Sequence, residues 1–134
     1  MRDSDPLRDR IVFLLNLTSQ VKVYHWLTTD FAIHKALDDL HKRLVERVDV
    51  YIETMMGRSP RRMDGESSSE RQGSATLNLQ PCTHDAIATV LRTEASRFER
   101  VANDGPVLQT ILQDIAQAMY QCAYVCDLSQ ASMN

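Results

Sequence analysis

Four residues in one stretch of the chain have the side chains and the spacing of a metal site: His34, Asp38, Asp49 and Glu53. Imidazole together with carboxylate is a ligand set that suits iron, zinc or manganese. Placed on one helix at about 100° per residue, the four fall near roughly 0°, 40°, 60° and 100°, a single stripe. His34 and Asp38 are four residues apart, as are Asp49 and Glu53, so each pair can converge on one ion. The pairs cannot join on the same helix, because His34 and Asp49 are separated by about 22 Å along the axis, whereas two ligands of one ion lie about 4 Å apart at most. Two copies of the helix packed antiparallel about a two-fold axis remove the conflict. His34 and Asp38 of one copy then meet Asp49 and Glu53 of the other, and the contact occurs twice, as an isologous dimer requires. His25, followed by Trp26, lies a short turn upstream and reaches towards the ion at His34.

Four helices must position these residues. The first is predicted over about 5–27, with Ser4 or Asp5 as cap and Pro6 at the first helical position, and with Leu7, Ile11, Leu14, Leu15, Val21 and Tyr24 as its buried stripe. Thr28, Thr29 and Asp30 break the pattern and offer caps for a second helix over about 31–56. Phe31, Leu37, Leu40, Leu44, Val48 and Ile52 form its core stripe, and Gly57, which tolerates positive φ, ends it. Residues 58–82 are polar and rich in Ser and Arg, a connection long enough to pass from one end of a bundle to the other. A third helix over about 83–102 is capped by Thr83 and buries Ile87, Val90, Leu91, Ala95 and Phe98. The fourth, over about 106–128, opens at Pro106 and carries an apolar face from Leu108 and Ile111 to Cys126. The expected fold is one all-α domain over 1–134, a four-helix bundle of the ferritin-like type with a long crossover between its second and third helices.

Composition agrees with that class. The 134 residues are 43% hydrophobic and 25% charged with few Gly and Pro, values of an ordinary globular protein biased towards helix. A net charge of -3 gives no global field towards nucleic acid or an anionic membrane. The local basic groups, Arg2, Arg8 and Arg10 and the cluster of Arg58, Arg61 and Arg62, read as solvated surface. Cys82, Cys122 and Cys126 form no CxxC pair, and no apolar leader or bilayer-spanning run is present, so a reducing, cytoplasmic location is expected. Cys122 and Cys126, one turn apart on an apolar helix, read as small core residues before metal ligands or redox groups.

The succession of His25-Trp26, then F-x-x-H-x-x-x-D from Phe31 to Asp38, then D-x-x-x-E from Asp49 to Glu53 resembles the ferroxidase centre of Dps, the mini-ferritins of starved bacterial cells. The resemblance is dense over about residues 10–57 and architectural elsewhere. It implies an enzyme that oxidises Fe(II) with hydrogen peroxide or dioxygen at sites shared by two-fold pairs of subunits, for iron storage, detoxification and protection against oxidative stress. By the same resemblance His34, Asp38, Asp49 and Glu53 take the family's His, Asp, Asp and Glu ligand positions, and His25 with Trp26 its His-Trp pair. Zinc or manganese would be substitutes for iron. Homo-oligomerisation follows, a two-fold dimer at least and in the family a dodecameric shell. The interval from His25 to His34 is three residues shorter than in typical Dps, and the lysine-rich tail of that family is missing. Together with the acidic balance, this argues against DNA binding.

Other readings stand beside this one. The chain could be a non-catalytic assembly protein, viral or nucleoid-associated, that keeps the dimer with an idle site; Asp38 and Glu53 would then pair across subunits with Lys42, Arg43 or Arg47. A DNA-protecting role would have to use the Arg clusters. His41 reads as a polar neighbour of the site, His84 as surface, Trp26 as interface packing, and Tyr24 and Tyr51 as core or interface.

Overall fold

A computed structural model of the chain describes residues 6–58, 76–100 and 105–132. It contains four α-helices, α1 (Pro6–Leu27), α2 (Phe31–Arg58), α3 (His84–Arg100) and α4 (Gly105–Ser132), and no strand among the described residues. The boundaries have local causes. The Asp30 carboxylate accepts the Ile33 N–H at 2.9 Å and so caps α2, while Thr28 Oγ1 accepts the Asp30 N–H at 3.2 Å and shapes the turn before it. Thr83 caps α3 in the same way, its Oγ1 accepting the Ala86 N–H at 3.1 Å. Gly105 has φ +86°, a conformation that side-chain-bearing residues rarely adopt, and Pro106 follows where a missing N–H costs nothing. Gly57 was expected to end α2 with positive φ. It instead remains helical, and α2 runs on to Arg58. The caps expected at Ser4 or Asp5 and residues 59–75 of the connection lie outside the described residues.

Side-chain contacts fix the direction of each helix. Lys22 meets Asp38 and Arg10 meets Tyr51, so α1 and α2 run antiparallel. Ser129 meets Asp30 and Asp114 meets Arg43, so α2 and α4 are antiparallel too. Arg92 meets Asp127, and Gln109 donates to the Phe98 carbonyl, which sets α3 antiparallel to α4. Helices α2 and α3 therefore point the same way, and the connection between them must travel the length of the bundle, about 40 Å for a helix of 28 residues. Gln20 of α1 holds the returning segment: its Nε2 donates to the Asn78 carbonyl at 3.0 Å and its Oε1 accepts the Asn78 N–H at 2.7 Å. The long crossover expected from the polar run is thus part of the architecture, an all-α four-helix bundle.

The core draws Leu14, Val21 and Tyr24 from α1, Ile33, Leu37 and Leu44 from α2, Ile87 and Leu91 from α3, and Leu108, Ile115 and Met119 from α4. Each fully buried aliphatic side chain contributes about 1.5–3 kcal/mol relative to exposure. Two residues placed on core stripes by periodicity face outward instead: Leu15 is 55% exposed and Phe31 76%. For α1 the phase is set by Leu14, Leu17, Val21 and Tyr24, and Leu15 sits about 100° away from Leu14. For α2 the phase is set by Ile33, Leu37, Leu40, Leu44, Val48 and Tyr51, which puts Phe31 on the outer side with His34 and Asp38.

Candidate metal centre

His25 belongs to the last turn of α1 and His34 to the first turns of α2, and the short connection turns the two imidazoles face to face, with ring centroids 3.8 Å apart and planes 19° from parallel. Their hydrogen bonds are reciprocal. His34 Nδ1 donates to the His25 carbonyl and His25 Nδ1 donates to the His34 carbonyl, both at 2.8 Å. A carbonyl can only accept, so each Nδ1 carries hydrogen, and in the neutral ring the lone pair is left on Nε2. The His25 carbonyl lies among the last four of α1, which have no helical partner, so the His34 ring closes the end of that helix. A backbone acceptor on one ring nitrogen is the usual way for a protein to orient the other nitrogen towards a metal. The structure brings these two histidines together.

Asp38 is one turn further along α2. Lys42 lies 3.2 Å from one carboxylate oxygen and Lys22 3.5 Å from the other. The hydrogen bond and charge of Lys42, reinforced by Lys22, hold the carboxyl below the usual carboxylate range. These ion pairs lie within one chain, and Arg43 and Arg47 are engaged with Asp114 at 3.0 and 3.5 Å. His41 completes this end of the helix. Burial, and after it the charge of Lys22, push its pKa down against the opposing pull of Asp38.

Asp49 and Glu53 lie at the far end of the same stripe and are exposed. Asp49 borders a groove between α1 and α2 walled by Leu15, Thr18, Val45, Val48 and Ile52. Among the described residues of one chain, no three His, Cys, Asp or Glu side chains converge to hold a metal ion. The five candidate residues fall into two groups, with His25, His34 and Asp38 at one end of α2 and Asp49 and Glu53 at the other.

Two features escaped the reading of the sequence. Lys22 is one; its partner Asp38 is on another helix, and only the antiparallel packing of α1 on α2 reveals the pair. The exposed apolar surface on the ligand-bearing face is the other: Leu15, Phe31 and Val45, with Trp26 66% exposed and Lys22 Nζ 5.9 Å from its ring centroid. Its signal was present in the sequence, since Phe31 and Val45 share the angular stripe of His34 and Asp49.

Residues 25–125 match a family of unknown function, DUF5856. No curated protein and no solved structure matches the chain. The matched segment begins at His25 and takes in His34, Asp38, Asp49 and Glu53, and the chain belongs to this family of unknown function.

Proposed function

We propose that the chain is a ferroxidase of the mini-ferritin type, which takes Fe(II) as substrate between two copies of itself. The observation that carries this reading is the reciprocal lock of His25 and His34, which commits both Nδ1 atoms to backbone carbonyls and reserves both Nε2 atoms for a ligand. The exposed Leu15, Trp26, Phe31 and Val45 support it further, since a second copy on that face would cover them. In the proposed dimer His34 and Asp38 of one copy, with His25, face Asp49 and Glu53 of the other. Two Fe(II) each give one electron to hydrogen peroxide, which takes up two protons and leaves as two waters; dioxygen is the alternative oxidant. The anionic carboxylates favour the ferric product. Iron storage and protection against oxidative damage would follow, and zinc or manganese would compete for the same ligands.

The test is Fe(II) oxidation followed by absorbance in the wild type and in the His34→Ala and Glu53→Ala variants. Each variant is expected to lose stoichiometric oxidation while remaining dimeric by light scattering. Unchanged oxidation in both would sink the assignment.

A non-catalytic assembly protein is the second reading, favoured by the grip of Lys22 and Lys42 on Asp38, which suits an idle carboxylate. Titration with Fe(II) or Zn(II) separates the two. A working site beside Trp26, the only tryptophan, changes its fluorescence, whereas an idle one leaves it constant.

A further inference from the structure

Cys122 and Cys126 take no part in the site on α2. They stand one turn apart on α4, both buried and neither in a disulfide. Cys122 also lines a groove between α2 and α4 with the buried Leu40 and Ala118 and the exposed Asp39, Arg43 and Gln121, so a small ion has a path to it from solvent.

We propose that Cys122 and Cys126 form a two-coordinate site for a soft monovalent cation of the copper(I) type. Thiolates select soft ions, Cu(I) foremost among the physiological ones. Structural zinc asks for four ligands, and among the described residues no third His, Cys, Asp or Glu joins the pair. Helix geometry separates a shared ion from a disulfide. Residues four apart have Cβ atoms about 5–6 Å from each other, a span two Cβ–Sγ bonds aimed at one atom can bridge, whereas a disulfide draws the Cβ atoms to about 3.5–4.5 Å. Binding exchanges protons for metal: two thiols and one Cu(I) give a bis-thiolate with net charge of minus one and release two protons. The neighbouring Cys126 thiol and burial raise the pKa of the Cys122 thiol, so this sulfur keeps its proton until a metal displaces it, while Cys122 in turn lowers the pKa of Cys126.

The experiment is anaerobic titration of the full chain with Cu(I) held by a chromophoric chelator, followed by sulfur-to-copper charge-transfer absorbance and copper X-ray absorption. One Cu(I) per chain with two sulfur neighbours is expected in the wild type, in Cys82→Ala and in His34→Ala, and loss of that tight site in Cys122→Ala and Cys126→Ala. Circular dichroism checks the fold of each variant; should either cysteine variant unfold, the sulfur count in the wild type decides. Nitrogen or oxygen neighbours at the copper, retention of the site in a folded Cys122→Ala chain, or oxidation of the pair to a disulfide in place of copper uptake would each overturn the proposal. Its outcome is independent of iron oxidation, which uses none of these sulfurs.

Discussion

At the scale of single residues, the site is a balance between groups that would hold a cation and groups that already hold the ligands. Lys42 and Lys22 stabilise the Asp38 carboxylate, and a metal must displace them. Lys42→Ala removes the closer ammonium and returns Asp38 towards ordinary basicity, so Zn(II) affinity measured by calorimetry should rise severalfold; a fall would mean that Lys42 orients the carboxylate for the metal. His41 gives a pH dependence with a definite sign. Its folded-state pKa is depressed below the ordinary 6.5, so on acidification the unfolded chain takes up the proton first. Its contribution is therefore neutral above about pH 6.5 and becomes destabilising as pH falls below it. Urea midpoints at about pH 7.5 and 5.5 should separate more in the wild type than in His41→Gln.

At the scale of elements, two short segments set the geometry of everything else. Asp30 caps α2 and also accepts from the Ser129 hydroxyl at 3.3 Å, so a single carboxylate ties the start of α2 to the end of α4 close to the histidine lock. Asp30→Ala should cost about 1–2 kcal/mol by chemical denaturation, and it should loosen the α1–α2 turn, weakening metal binding at His25 and His34 as well. Gln20 does the corresponding work for the crossover. Its amide pairs with the backbone of Asn78 much as a strand would, and the link explains how the chain returns to start α3 at the end of the bundle where α1 finishes.

At the scale of the whole molecule, the proposed sharing of ligands between two copies makes a prediction that no single chain can satisfy. His34→Ala and Glu53→Ala are each expected to be inactive alone. When the two variants are co-expressed and pair at random, half of the dimers contain one of each, and in those one of the two sites keeps both ligands. About a quarter of wild-type Fe(II) oxidation should return. No recovery in dimers shown by mass spectrometry to be mixed would place the ligands within one chain and refute the shared arrangement. The uncharged apolar groups at Leu15, Trp26, Phe31 and Val45 lie on the face this dimer would bury.

The sequence determined the helices and the spacing on α2, because these depend on local quantities: caps at Asp30 and Thr83, Pro106 as a helix opener, and an angular stripe that follows from the helical repeat. Most of the core was legible for the same reason, since Leu37, Leu40, Leu44 and Val48 repeat at helical intervals. Leu15 and Phe31 were misplaced because an apolar residue at the edge of a stripe can face either way, and only the neighbouring helix decides. Tertiary structure alone set the His25–His34 lock, which depends on how α1 turns into α2, and the Lys22–Asp38 pair, which depends on the packing of one helix against the other. Hydrogen bonds and ion pairs between helices are fixed by distance in space, and that distance exists only once the chain has folded.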